Sequence, residues 1–399
     1  MSIYPTVRPS LTLDFQKSKQ LDPRISFSRS SSATYVEGGV IKYADEHQAR
    51  FEEEGLLIEE SRTNLFPYSE DFSDVSWTKS NTTVTTNSTS APDNTNTADK
   101  LVTTNTNSSH YVVSVKAVTA ANHTVTLFSK SAEKEWLTIN IFNGSTYLKY
   151  SFNVSTGQLG ISAAGGTSAI TQLANGWYKC TVSYTSTVTG NNSIHFHIYD
   201  DSSTENFQGD GTSGLYVWGA QLEQGSFPTS YIPTSGSTVN RAADVCTITG
   251  DNFNSWYNQS EGTFAFEYNA PNQLLDNALG VWGAKSTNNA ARLEFYTGNS
   301  SSGAATFDTS TGRSFQFLTR AQAVSGKYAL AIKKDSFALS QNGNAALTDN
   351  SGDMNSTNQM VVLALGTTNN VNNQLYGHIS RFTFYPRRLT DLELETLTL

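Results

Sequence analysis

Two histidines one residue apart, His195 and His197, are the most conspicuous pair of ligand-type side chains in this chain. In an extended segment successive side chains alternate between faces, so both imidazoles project from the same side of a strand. That spacing suits a metal, and Asp200 and Asp201 follow with oxygen ligands. A third ligand is not identifiable, with His110 and His123 the other candidates. The same two rings serve equally as structural side chains or as contacts to a sugar, so the metal is unknown from the residues alone.

Hydrolysis of a glycosidic bond needs two carboxyl groups about 5–9 Å apart across one cleft. Glu133 with Glu135, and Glu59 with Glu60, supply such pairs, but in turn-rich sequence they are expected as solvated surface. Glu294 sits mid-strand opposite Leu293 and Phe295, where solvent or a ligand would meet it. There is no Gly-x-Ser-x-Gly elbow, no His-Glu-x-x-His helix and no glycine-rich loop opening a helix. A non-enzymatic protein without a cofactor is expected.

Aromatic residues offer a different chemistry. Sugar rings stack their C–H faces on Trp and Tyr, while Asn, Asp and Gln hydrogen-bond the hydroxyls. Trp136, Asn140, His195, His197, Tyr216 and Trp218 fall in the middle of the chain, and Trp282, Arg292, Glu294, Tyr296 and Tyr385 in its last third. Each set is a candidate glycan-binding surface. The competing reading of every member is core packing or a subunit interface.

The elements that must position these residues are strands. Only 15 % of the 399 residues are charged while 11 % are aromatic, and Asn, Ser, Thr and Gly abound. Short strands and tight turns require that mixture, so the fold is expected to be all-β. The length calls for two or three domains. A net charge of −9 without clustered cations argues against nucleic acid. No run of about 18 apolar residues suggests membrane insertion, and the N-terminus lacks the pattern of a secretory signal. Cys180 and Cys246 fall in different expected domains and read as two small buried residues rather than a disulfide.

Three parts are expected. Residues 1–66 form an extended leader with short apolar runs at Leu11–Phe15, Ile25–Phe27 and Leu56–Ile58. The leader is a candidate attachment segment, either pairing with a neighbouring subunit or completing the edge of its own sandwich. Residues 67–233 carry eight candidate strands with turns between them, from Thr82–Thr86 to Leu215–Leu222, the pattern of a jelly-roll sandwich. After a linker at 234–247, residues 248–399 repeat the class, with tight-turn chemistry at Asn342-Gly343 and a capping box at Thr390–Glu393 that starts one short terminal helix. Between Gly214 and Gln224 one strand has no polar face: Leu215, Val217 and Gly219 alternate with Tyr216, Trp218 and Ala220.

Several segments carry a family resemblance. Leu21-Asp-Pro-Arg-Ile25 with Arg29 and Ala33-Thr-Tyr35, the run Gly55 to Leu65, Tyr68 to Phe72 with Trp77, Trp218 to Glu223, and Ser230 to Thr234 resemble segments of tailed-bacteriophage virion proteins. The middle domain resembles jelly-roll carbohydrate-binding modules. The last resembles concanavalin A-like, laminin G-like sandwiches through Tyr328–Ile332, Asn342-Gly343 and Ile379–Thr390. The resemblance implies a virion protein, assembled in the host cytoplasm and exposed on the particle surface. Its partners would be other tail or capsid proteins and host cell-surface glycans, in a homotrimer. A tail-associated fibre or adhesin, a head decoration or head-fibre protein, and a secreted carbohydrate-active enzyme are the three readings. The concanavalin A-like resemblance also implies a possible structural calcium, at Asp276-Asn277 or between Asp349 and Asp353.

Overall fold

The computed structural model describes residues 4–271, 279–286, 291–297, 301–308, 312–313, 318–321, 324–352, 359–368 and 374–399. The chain is all-β, built from antiparallel sheets, with single-turn helices at Phe15–Ser18 and Asp251–Asn254 and one short terminal helix. It separates into two compact units. The central unit comprises Ala33–Tyr43 and Arg62–Arg241, and the C-terminal unit Met1–Ser32, Ala44–Ser61 and Ala242–Leu399. Linear boundaries at residues 66, 234 and 248 therefore do not mark the units, because the leader contributes strands to both. Among the described residues no helix is long and apolar enough to cross a membrane.

In the central unit one sheet contains β1 (Thr78–Ser80), β2 (Asn107–Val118), β3 (Trp136–Phe142), β4 (Tyr147–Asn153), β5 (Gln158–Ser162), β6 (Gly190–Tyr199) and β7 (Asn206–Gln208). Its order is β5-β4-β3-β6-β2, with β1 and β7 both pairing β2. The facing six-stranded sheet runs through Asn122–Ser131, flanked by Tyr178–Thr185 and Gly214–Gln224. Alternation directs Val112, Leu137, Ile139, Ile141, Ile194, Phe196 and Ile198 into the core between the sheets. The outward residues of β2, β3, β4 and β6 are left to form a surface.

The strand Gly214–Gln224 explains its own missing polar face. Leu215, Val217, Ala220 and Leu222 join the sandwich core, while Trp218 packs on the outer side with Ile41, Phe128, Trp177 and Tyr231. Simple alternation fails after Trp218 because Gly219 has φ +64 and the register slips between Thr126 and Phe128 of the partner strand. The left-handed glycine makes a bulge, and Ala220 turns inward instead of outward.

Segments conspicuous in the sequence prove to be buried staples. Asn64 Nδ2 donates to the carbonyls of Ala220 and Ile232, and its Oδ1 accepts from the amides of Phe66 and Leu222. Glu223 Oε1 accepts from Gln221 Nε2 at 2.8 Å and from the amide of Thr229 at 2.9 Å. Tyr231 donates its hydroxyl to Glu70 Oε1 at 2.9 Å. These bonds tie irregular chain to the sheet where no ladder can satisfy the backbone.

In the C-terminal unit two eight-stranded sheets enclose a core rich in Phe, Tyr and Trp. Leader strands Leu11–Asp14 and Gly55–Ile58 pair with Gly377–Tyr385, and Ser26–Ser28 pairs with Val245–Thr249. The short leader runs thus complete sheets within the unit. Buried Arg29 and Arg50 both reach Asp244, at 3.1 and 2.5 Å, and Arg50 also reaches Glu59 at 2.7 Å. Glu59, expected as solvated surface, is instead a buried member of this network. Asn342 and Gly343 both have positive φ in the turn closed by Asn344 N–H to Gln341 O, and Thr390 forms its capping box with Glu393 ahead of the helix Asp391–Leu397. Cys180 and Cys246 are buried free thiols.

Candidate ligand platform

The outward face of β2, β3, β4 and β6 brings together side chains distant in sequence. Strand register sets Asn140 opposite His195, Thr138 opposite His197 and Trp136 opposite Tyr199. On the other side of β6, Tyr111 lies opposite His197, and across β3 Lys149 lies opposite Asn140. Four expected site residues, Trp136, Asn140, His195 and His197, therefore share one face. Sequence reasoning missed Tyr111, Lys149 and Tyr199, whose alternation is legible only once their strands are known to be neighbours, and Glu205, which lies in the loop before β7.

Rings cover the centre of this face. The Tyr111 ring lies 4.5 Å from the His197 ring and 5.1 Å from that of His195, and the two imidazoles stack at 5.7 Å. Tyr147, 54 % exposed, closes one end against Phe142 at 5.2 Å. At the other end the Trp136 ring lies over Gly160, where a Cβ would come within 2.8 Å of it. Glycine at that position in β5 leaves room for the indole.

Beneath the rings lies a polar layer that lacks partners. Asn140 Oδ1, His195 Nδ1 and both ring nitrogens of His197 are buried with no hydrogen-bond partner. His195 Nε2 pairs with Ser193 Oγ at 3.1 Å. Burial pushes the His197 imidazole down to about 3, helped by His195 and Lys149, and burial also lowers His195. Both rings are therefore neutral near neutral pH, each with one donor and one acceptor nitrogen. Beside them Lys149 pairs with Glu205, which also accepts from the Tyr199 hydroxyl at 3.2 Å and lies 3.8 Å from His197 Nδ1. An unsatisfied buried polar atom costs about 1–3 kcal/mol, and a cluster of such atoms at a surface is completed by water or by a ligand.

The remaining candidates lie elsewhere. Trp218 is fully buried on the opposite sheet, its Nε1 donating to Thr97 Oγ1 at 3.0 Å, and half-buried Tyr216 packs beside it under the Lys100 ammonium. Trp282 is a core residue of the C-terminal unit, stacked on Phe264 at 4.4 Å and aligned with inward-facing Phe295. The slip in register next to Gly280 sends it inward. Arg292, Glu294 and Tyr296 lie on the outward side of their strand, opposite Lys285, Gly283 and Gly280, with Arg292 Nε 3.2 Å from Glu294 Oε1. Tyr385 belongs to the other sheet, in a groove with Glu267, Lys327 and Arg381.

The metal candidates do not converge. His110 is on the opposite face of the platform sheet, bonded to the carbonyls of Asn81 and Phe207, and His123 belongs to the other sheet. Asp200 pairs with Lys134, and Asp201 caps its own loop by accepting from the amides of Ser203 and Thr204. Among the described residues, the trio whose ligand atoms lie within 4.8 Å of one another is Glu52, Glu54 and His378, with His378 Nε2 already bonded to Glu52 at 3.0 Å. Asp276, Asn277 and Asp353 lie outside the described residues, and Asp349 accepts from Ser351.

No protein-family model matches the chain, and no curated protein matches it. Distant likenesses exist among solved structures. The carbohydrate-binding module CBM40 of the Ruminococcus gnavus IT-sialidase, bound to α2,6-sialyllactose, superposes with a TM-score of 0.30 at 18 % identity, covering 35 % of this chain and 84 % of the module. Trypanosoma rangeli sialidase in complex with sialic acid gives 0.30 at 9 % identity, over 92 % of this chain and 76 % of the sialidase. Domains LG4-5 of the mouse laminin α1 chain give 0.24 at 11 % identity, over 72 % and 90 %.

Proposed function

We propose that this chain is a non-enzymatic glycan-binding protein whose ligand seats on the outer face of the seven-stranded sheet of the central unit. One observation carries the reading: Asn140, His195 and His197 hold buried polar atoms without partners beneath half-exposed aromatic rings. A saccharide has the matching surface, with C–H faces for Tyr111 and Trp136 and hydroxyls for the amide and imidazoles. Tyr111, whose ring packs against both imidazoles, has to shift for a ligand to reach them, a side-chain adjustment common on binding. Catalysis is not part of the reading, since Glu205, the carboxylate at the platform, is already held by Lys149 and Tyr199.

The setting we propose is the surface of a bacteriophage particle, as a tail-associated fibre or adhesin contacting host glycans. The resemblance of the Leu21–Ile25, Gly55–Leu65, Trp218–Glu223 and Ser230–Thr234 segments to virion proteins supports it. A glycan array probed with the full chain tests the binding: a bound class, lost on replacing Asn140 with Leu, is expected, and binding unaffected by that change overturns the platform. Antibody labelling of particles tests the setting. Tail labelling at a few to tens of copies is expected, labelling that follows the capsid lattice indicates a head protein, and unlabelled particles remove the virion role.

A further inference from the structure

The platform's inventory of donors, acceptors and charges is specific enough to select among sugars. We infer that its ligand is an uncharged saccharide and that sugars bearing a carboxylate are rejected; this rests on the glycan reading above. A hydroxyl is donor and acceptor at once, whereas a carboxylate is acceptor only. Asn140 presents its amide oxygen to the platform, neutral His197 presents one bare nitrogen beside its one N–H, and His195, whose Nε2 pairs with Ser193 Oγ, presents Nδ1. Hydroxyls satisfy all of these atoms. A carboxylate placed there meets acceptor against acceptor at Asn140 Oδ1 and at the bare nitrogen of His197.

Charge points the same way. Recognition of a carboxylate needs a cation free to meet it, most often in a bidentate or charge-assisted hydrogen bond. The cations beside the platform are Lys149 and Lys134, and each already holds an acid, Glu205 and Asp200 respectively. Glu205 itself contributes negative charge 3.8 Å from His197, which repels an anionic ligand. Burial lowers both imidazoles, so neither supplies a positive charge at neutral pH.

The pairing also predicts how the selectivity is reversed. Replacing Glu205 with Gln keeps the side chain's shape and a partner for the Tyr199 hydroxyl, but it releases the Lys149 ammonium. The experiment compares the full chain with Glu205→Gln and Lys149→Ala on an array of neutral oligosaccharides and their uronic- and sialic-acid-bearing counterparts, followed by titration calorimetry on the best binders. Wild-type protein is expected to bind neutral members only. Glu205→Gln is expected to gain affinity for acidic members by about tenfold or more, the worth of one charge-assisted hydrogen bond, and Glu205→Gln combined with Lys149→Ala to lose that gain. Wild-type binding of an acidic sugar as tightly as its best neutral one overturns the inference and leaves the glycan reading standing. Absence of binding to every member removes the glycan reading, and the inference with it.

Discussion

The two sheets of the central unit both carry aromatic side chains on their outer faces, yet the faces differ in how those side chains are covered and partnered. On the six-stranded sheet Trp218 is fully covered, T-shaped against Phe128 at 5.5 Å and 4.6 Å from Tyr231, and its indole N–H has a partner in Thr97. The neighbouring Trp177 likewise donates to Ser90 O at 3.0 Å. On the seven-stranded sheet Tyr111 and Trp136 are only half buried, and Asn140 Oδ1, His195 Nδ1 and both His197 nitrogens beneath have no partners. Aromatic content does not distinguish the two faces. What sets the seven-stranded face apart is that these unpartnered atoms of Asn140, His195 and His197 lie together beneath partly exposed rings.

The largest test removes the covered ring. Trp218→Ala deletes a fully buried indole, and such truncations cost about 3–5 kcal/mol. Chemical denaturation of the variant is expected to show a loss in that range, while saccharide affinity measured under folding conditions stays at the wild-type level. A small stability loss with lost binding would reverse the roles assigned to the two faces.

Asn140→Leu is the mirror experiment on the open face. It replaces an orphaned amide by an apolar side chain of similar size, so stability is expected to hold or rise by about 1 kcal/mol, since an unsatisfied buried group costs about 1–3. Affinity is expected to fall about 10- to 100-fold, or 1.4–2.8 kcal/mol. Stability and affinity moving in opposite directions is the mark of a site that folding tolerates for the sake of binding. If both fall together, Asn140 is a structural residue and the contrast between the faces disappears.

Much of this contrast was legible in the sequence, but unevenly. Composition gave the all-β class, the His195-Phe-His197 spacing placed two rings on one side of a strand, and Trp136 and Asn140 were candidates from another. That these strands are adjacent, and that Tyr111 comes from a third, depends on long-range register that no local pattern encodes. Trp218 was misplaced for a related reason. The sequence puts it on the same face of its strand as Tyr216 and leaves the role of that face open, and the residues that cover it, Ile41 and Tyr231, arrive from distant segments. The bulges at Gly219 and beside Gly280 shift the phase of alternation, which a regular period-2 reading cannot anticipate. The most recognisable segments turned out to be staples such as Asn64 and Glu223, whose bonds run to backbone.

Acid probes the platform through His197. Its folded value, pushed down to about 3, lies below the ordinary imidazole value of about 6.5 in an unfolded chain. As pH falls below about 6.5 the unfolded chain takes the proton first, so His197 favours unfolding progressively down to about 3 and has no such effect above 6.5. Its share of the slope reaches about 1.4 kcal/mol per pH unit. Denaturation midpoints of wild type and His197→Leu between pH 7 and 4.5 are expected to diverge by that slope, the variant being less acid-sensitive. Parallel profiles would mean that His197 is not buried in neutral form.

The smallest expected effect lies on the strand Ala291–Thr297 of the C-terminal unit, where Arg292 and Glu294 had looked as promising as the histidines. Their ion pair is made between neighbours on one strand, and the Arg292 side chain is 31 % exposed. Pairs of this kind contribute about 0–1 kcal/mol, less at high salt. Arg292→Ala is therefore expected to lower stability by under about 1 kcal/mol and to leave saccharide affinity unchanged in calorimetric titration. The negative result matters to the comparison, because Arg292 and Glu294 already have each other where Asn140 and His197 lack partners. Should Arg292→Ala abolish binding as Asn140→Leu is expected to, then unpaired polar atoms are the wrong criterion for the site, and the charged face of the C-terminal unit takes its place.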